Sequence, residues 1–313
     1  MKINRLLLIL LNMCTFTSFA QQDPQISQHM FNHLMINPGY AGSNGLIDLS
    51  LLNRQQWVGF PGAPVTTVFQ VDAPAKLIGS ADGLGLTVVK DAIGYESNVS
   101  FGLNYSFRFK LGQGLLGCGI YVGLMNKNLR PGWSDSQAGD LVDGSDPALP
   151  KQEVNGILTD IGAGLFYRQK KYYLAFSSLH VNQPSFSFEE QGHYSLRRHY
   201  YLTGGYNLEL NDDRFTVQPS FLMKSDGTTS QIDLDFIVQY NKKFGGGIGY
   251  RNKDAVVVFL GFEMQNGIRI GYSYDLNTSV LSNYNSGSHE LFLSYSVLLN
   301  KNKGQKTKSV RFL

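Results

Sequence analysis

Fourteen stretches of about ten residues, most alternating apolar and polar, follow one another along this chain with no long helical pattern between them. In residues 99–109, Val99, Phe101, Leu103, Tyr105, Phe107 and Phe109 share one face, and Ser100, Gly102, Asn104, Ser106 and Arg108 the other. The split recurs in Ile232, Leu234, Phe236, Val238 and Tyr240 against Asp233, Asp235 and Gln239, and in Ile268, Ile270, Tyr272 and Tyr274 against Arg269, Gly271, Ser273 and Asp275. It closes the series in Leu291, Leu293, Tyr295, Val297 and Leu299 against Glu290, Ser294 and Ser296. The stretches lie at 46–56, 64–73, 83–90, 95–109, 115–127, 157–168, 171–180, 198–210, 214–224, 229–240, 243–251, 254–264, 267–276 and 289–299. A soluble sandwich also alternates, but its strands run nearer ~5 or 6 residues and its aliphatic face turns inward. The pattern predicts an all-β fold: a transmembrane antiparallel β-barrel of about 14 strands, apolar parity toward lipid and polar parity toward the lumen.

The connections test this independently, because an outer-membrane barrel has short periplasmic turns and longer outer loops in alternation. The short set is Lys110 to Gly114, Gln169-Lys170, Asn211 to Asp213, Asn241-Lys242 and Gln265-Asn266, with Pro74 to Asp82 its longer member. The outer set includes Lys127 to Gly156, Val181 to Arg197 and Asn277 to Ser288, with tight exceptions such as Asn252-Lys253. Phe107, Phe109, Tyr167, Tyr172, Tyr200, Phe215, Tyr240 and Tyr274 fall near strand ends, where interfacial girdles are expected. Inward-facing Arg54, Arg108, Asp160, Glu209, Asp233, Asp235, Arg269 and Glu290 mix both signs, which predicts ion pairing inside the lumen rather than a strongly selective pore.

The N-terminus assigns the compartment. Lys2 and Arg5 precede the apolar Leu6–Leu11, and Ser18-Phe19-Ala20 forms a small-x-small cleavage site, so the mature chain is expected to begin at Gln21 and to reach the outer membrane. Met13 before Cys14 fits a lipoprotein signal poorly. After Ala20 no apolar run approaches the ~20 residues of a membrane helix. Cys118 is then the one remaining cysteine, so stability must come from packing and backbone pairing, and its expected role is that of a small apolar strand residue. Setting aside Lys2 and Arg5, and Lys301, Lys303, Lys306, Lys308 and Arg311 of the tail, lowers the formal charge from +3 to −4. The basic tail is a separate element, and no nucleic-acid partner is expected. The organisation is therefore a signal at 1–20, a periplasmic or plug segment at 21–45, a barrel at 46–299 and a basic periplasmic tail at 300–313.

No catalytic constellation is legible, and no enzyme activity, metal or cofactor is expected. The histidines at 29, 33, 180, 193, 199 and 289 are scattered; only His29 and His33 have a spacing that a helix would bring to one face, and two ligands without a third are weak evidence. Asp140, Asp143, Gly144 and Asp146 lack the closing Glu of a calcium loop. Asp233 and Asp235 read as lumen ionic partners.

The segment before the first strand is unlike a generic leader. In Gln22 to Ser43, Asp23 is placed to cap and Pro24 to open a short helix, with Ile26, Met30 and either His33 or Leu34 along one side, ahead of an Asn37-Pro38-Gly39 turn. Too short to be stable alone, it requires the periplasmic mouth or the lumen wall to lie on.

This block, with the one at Arg54 to Pro74, resembles the start of the PorP/SprF family of type IX secretion membrane proteins of Bacteroidota. The likeness rests on Asp-Pro-Gln, Ser-Gln, Met-Phe-Asn, Ile-Asn-Pro and Tyr-Ala-Gly, then Gln-Trp-x-Gly-Phe and Gly-Ala-Pro, in that order. Beyond Pro74 it is mainly one of periodicity and length. Gln22, Asp23, Gln25, Gln28, Met30, Phe31, Asn32, Asn37, Pro38 and Tyr40 match the leader block, and Arg54, Gln56, Trp57, Gly59, Phe60, Gly62, Ala63 and Pro64 the second. The resemblance implies an outer-membrane barrel without catalysis that anchors or helps export a surface protein carrying a C-terminal sorting domain, in secretion or gliding, or that works beside a periplasmic peptidoglycan-binding component. The matched residues are then plug or partner-binding positions, with Trp133 of the longest loop a further candidate contact. The alternative is a transporter of hydrophobic small molecules like the FadL family, which resembles a plugged barrel of the same strand number.

Overall fold

The computed structural model describes residues 23–78, 81–130, 152–188, 192–210, 212 and 214–298. Their alternating stretches become long antiparallel strands: β1 (Ile47–Gln55), β2 (Val65–Ala75), β3 (Asp82–Ile93), β4 (Glu96–Leu111), β5 (Gly114–Leu129), β6 (Val154–Arg168) and β7 (Tyr172–Leu179). A small hairpin follows, β8 (Ser185–Phe188) with β9 (Gly192–Ser195). The series resumes with β10 (His199–Tyr206), β11 (Leu208–Glu209), β12 (Phe215–Ser225), β13 (Ser230–Tyr240), β14 (Phe244–Arg251), β15 (Ala255–Glu263), β16 (Ile268–Asn277) and β17 (Ser288–Val297). β11 continues β10 in the same register against β12, so the two form one stave. Fourteen staves therefore stand in sequence order, and the ring closes where β1 pairs with β17, from Ile47↔Val297 to Gln55↔His289. Each of the fourteen stretches read from the sequence supplies one stave. The wall is uneven, because β4 and β5 each run 16 residues while β7 and β10 run 8.

Closure gives every stave a hydrogen-bonded neighbour on both sides, as a sheet in hydrocarbon requires, and β6 extends past β7 at its loop end, where residues 154–162 pair with β5 alone. Side-chain parity follows the expected sense: Leu103, Ile120, Val122, Leu234, Phe236, Leu260 and Leu291 point outward and exposed, while Asn104, Asp233, Asp235 and Glu290 are buried inside. An apolar band of that extent around a molecule needs lipid, not water, as its surroundings. Cys118 shares the outward parity with Ile120 and Val122. The short connections gather at one end of the barrel, the turn end, with paired rings of Phe107–Phe109, Tyr167–Tyr172 and Phe215–Tyr240 beside them. Tyr200 and Tyr274 stand toward the other, loop end, where the longer connections lie.

Glu209 departs from its expected place among the inward charges. It lies on the two-residue β11 at the turn-end rim and is exposed. The helix expected from Pro24 is absent as well. The leader instead makes a 3-10 turn at His29–Phe31, a four-residue helix at His33–Ile36 and a second 3-10 turn at Pro38–Tyr40. Its described part lies on the lumen wall, one of the two surfaces expected for it, and descends from the loop end, where Asp23 stands near the end of β7, to the turn end.

Candidate functional site

The lumen is occupied by the chain's own leader, whose apolar residues radiate to different sectors of the wall. Ile26 packs with Leu52, Val68 and Phe292; Met30 with Ile237, Val257 and Phe259; Leu34 and Tyr40 with Phe166 and Tyr173; and Ile36 with Leu179, Tyr201 and Leu222. An amphipathic helix has one greasy side because it lies on a surface. A segment surrounded by wall has no solvent side, and its conformation follows the partners it meets.

Those partners are largely polar. At the loop end, Ser27 Oγ sits among Arg54 Nη1 at 2.9 Å, Arg251 Nη2 at 2.9 Å and the Asp275 carboxylate at 2.8 Å. The Ser27 and Gln28 amides donate to Glu290 at 2.8 and 2.7 Å, while the Arg54 guanidinium reaches Asp275 at 2.8 Å and Glu290 at 3.4 Å. Arg251 is shared among Asp233, Asp254 and Asp275. Arg54 thus joins the two sequence blocks that resemble the family. Gln25 accepts from Lys224 and donates to Asp233, and His29 Nε2 stands 2.6 Å from Asp235. Asn32 donates to the Gln28 carbonyl within the leader. Phe31 stacks on Phe292 with the Arg269 guanidinium 5.0 Å from its ring.

Lower down, side chains bond facing carbonyls across a close approach of leader to wall. Asn37 Nδ2 donates to the Leu165 and Phe176 carbonyls at 3.0 and 3.1 Å, and Ser106 Oγ to the Gly39 carbonyl at 3.0 Å. The wall offers glycine where the leader presses on it. A Cβ at Gly119 would stand 2.2 Å from Gly39 N, and one at Gly164 2.2 Å from Asn37 Oδ1. Arg108 donates to the Gly42 carbonyl and Arg168 to Ser43, where the leader meets the turn end.

The second block lies outside the lumen, except for Arg54. Gln56, Trp57, Gly59, Phe60, Gly62, Ala63 and Pro64 form the β1–β2 loop at the loop end. Trp57 N donates to Ser288 Oγ, Val58 N to the Gly287 carbonyl and the Gly94 amide to the Gly62 carbonyl, which ties this loop to its two neighbours. Phe60 projects with 40% exposure. Gln22, Trp133, the signal, the acidic loop with Asp140 to Asp146 and the basic tail lie outside the described residues.

Sequence reasoning did not find one grouping. His180, just past β7, and His199, opening β10, come together because His199 pairs with Leu179 across that ladder, and Asp23 of the leader meets both. Strand register carries that signal and single-residue spacing does not. His180 Nε2 is 2.8 Å from Asp23 Oδ1 and its Nδ1 is 2.8 Å from Asp160 Oδ2, and Tyr201 Oη donates to Asp23. Burial works to raise the Asp23 carboxyl, but the facing His180 and His199 rings hold it well below the ordinary carboxylate range. The His29–His33 pair does not converge, since His33 packs among Tyr40, Phe166 and Tyr173. A cavity of about 100 Å³ lies above the leader, lined by Asp23, His180, Tyr201, Tyr121, Lys224 and Tyr194 of the hairpin.

The model of the type IX secretion system membrane protein PorP/SprF family matches residues 18–295, so the likeness extends through the barrel and not only its first two blocks. No curated protein matches the chain. Among solved structures, it is similar to Omp33 of Acinetobacter baumannii (6% identity, 81% of this chain and 99% of that one, TM-score 0.46). It is also similar to the toluene transporter TbuX of Ralstonia pickettii (11%, 86% and 92%, 0.45) and to a Pseudomonas aeruginosa FadL homologue (11%, 82% and 89%, 0.44).

Proposed function

The chain belongs to the PorP/SprF family of type IX secretion system membrane proteins, and from that premise we propose that it is an outer-membrane holding or export partner for a surface protein bearing a C-terminal sorting domain. The observation that carries this reading is the filled lumen. With the leader bonded to the wall from Ser27 to Ser43, the interior is committed to the protein itself and the loop end becomes the surface available to a partner. That end presents Phe60, Val280 at 79% exposure and Tyr284 at 67%, on loops bonded to one another or to the barrel. Aromatic side chains on a held surface are suited to anchor a protein contact. A periplasmic peptidoglycan-binding component is a second proposed partner, at the opposite end.

The lumen inventory weighs against a hydrophobic-molecule transporter, which needs a greasy path where this chain buries Arg54, Arg251 and Lys224 among Asp233, Asp235, Asp275 and Glu290. The deciding experiment is deletion of the gene followed by surface proteomics. A specific sorting-domain protein should disappear from the surface or appear in the medium, and restoring a Phe60→Ala/Tyr284→Ala chain should rescue it poorly. If every such protein stays anchored while uptake of a hydrophobic nutrient fails, the transporter reading replaces this one.

A further inference from the structure

We propose that Asp23, His180 and His199 form a divalent-metal site that takes Zn(II) and fastens the start of the leader to the barrel wall. Each offers one ligand atom, and the three lie within 4.8 Å of one another. Tetrahedral zinc with metal–ligand distances of about 2.1 Å separates its ligand atoms by about 3.4 Å. The contacts of Asp23 with His180 at 2.8 Å and with His199 at 3.7 Å bracket that value. Side-chain rotations that open the first pair and close the others would centre an ion.

The surroundings fit the same chemistry. Asp160 Oδ2 stands 2.8 Å from His180 Nδ1, out of hydrogen-bond alignment, while Nε2 faces Asp23; a small ring rotation would complete the carboxylate–histidine–metal arrangement that fixes a ligating ring and raises its basicity. His199 Nδ1, the nitrogen 3.7 Å from Asp23, also lies 3.0 Å from the Arg197 carbonyl, a contact that ligation would replace, and its buried Nε2 has no hydrogen-bond partner. Two imidazoles and a carboxylate, with water in the fourth position, are a donor set that zinc takes. The adjoining cavity, which Tyr194 of the β8–β9 hairpin helps to line, supplies room for water as the fourth ligand. None of this depends on which partner the barrel serves, since the site ties leader to wall.

The test uses the full mature chain, folded in detergent and stripped with chelator. After Zn(II) loading and dialysis, elemental analysis should find one zinc per barrel. Co(II) loading should give the intense visible bands of a tetrahedral site. His180→Gln and His199→Gln should each lose stoichiometric retention, His33→Gln should keep it, and Asp160→Asn, a positioning change, should weaken affinity by about 10–100-fold and shift the Co(II) spectrum. Heat-modifiability on gels identifies variants that remain folded. Wild-type protein without stoichiometric zinc, a Co(II) spectrum of six-coordinate type, or folded His180→Gln retaining zinc like wild type would overturn the site and leave a hydrogen-bonded cluster only.

Discussion

Gly119→Ala tests the fit of leader to wall at one of its closest approaches. The added methyl would stand 2.2 Å from both Gly39 N and the Pro38 carbonyl carbon, where ordinary contact begins near 3.4 Å. About 1.2 Å must therefore be found. β5 cannot retreat, because it is hydrogen-bonded to β4 and β6 along its length. The Pro38–Gly39 turn has to lift instead, and lifting it strains the two bonds from Asn37 to β6 and β7 and the one from Ser106 to Gly39. At about 1 kcal/mol for each buried bond the loss is about 3 kcal/mol, or roughly 100-fold in the opening equilibrium. Hydrogen exchange of folded protein in detergent should show the amides of Gly39, Tyr40 and Ala41 exchanging roughly 100-fold faster, while strand amides away from the lesion stay protected. Gly246→Ala is the control, since a Cβ there meets nothing closer than 3.9 Å. Unchanged protection in folded Gly119→Ala would refute the claim that glycines hold the leader at backbone distance.

Glu290→Ala leaves two leader amides without their buried acceptor and takes from Arg54 one of its two carboxylate partners, so stability against denaturant should fall by about 3 kcal/mol; an unchanged midpoint would contradict the role given to that carboxylate. Replacing Phe31 and Tyr40 together by Ala removes the rings stacked on Phe292 and set edge-on to Phe166, at a cost of roughly 3 kcal/mol for each where buried, and should loosen residues 24–40 in hydrogen exchange while the barrel remains heat-modifiable. Removal of residues 21–42 should convert a closed barrel into one that conducts in planar bilayers; a truncated barrel as silent as the full chain would mean that something other than the leader seals it. Trypsin applied to intact cells should spare the turn at Gln169–Lys171, and early cleavage there would invert the topology.

The staves were legible because two solvents write on them at once. Lipid outside and polar groups inside force a two-residue period, as in Leu103 against Asn104 or Leu234 against Asp235, and a period-two pattern survives without knowledge of partners. The leader was only half legible. Its apolar residues and the Asn37-Pro38-Gly39 turn could be read, but Asp23 in the role of a helix cap could not be distinguished from Asp23 facing His180 and Tyr201, because propensity is silent about a wall that supplies the partners. Glu209 had the right parity for the lumen but is the last residue of its stave, at the rim, where parity no longer decides burial. The His180–His199 meeting depended on pairing across β7 and β10, and register between two strands is a property of their turns and neighbours rather than of either sequence.

The bonds at Ser27 and Gln28 also bear on the order of assembly. Closure of the ring brings β1 against β17, strands at opposite ends of the chain, and contacts of such long range form late because their loop entropy is met before any reward. Ser27 and Gln28 donate to Glu290 on β17, and Ser27 accepts from Arg54 on β1, so the leader straddles that seam from within. A nascent sheet that has not yet joined its edges holds only half of these partners. The leader's seating and the sealing of the seam are thereby one cooperative event, and an open-edged intermediate would be recognisable to the cell's assembly machinery by a leader still accessible to it.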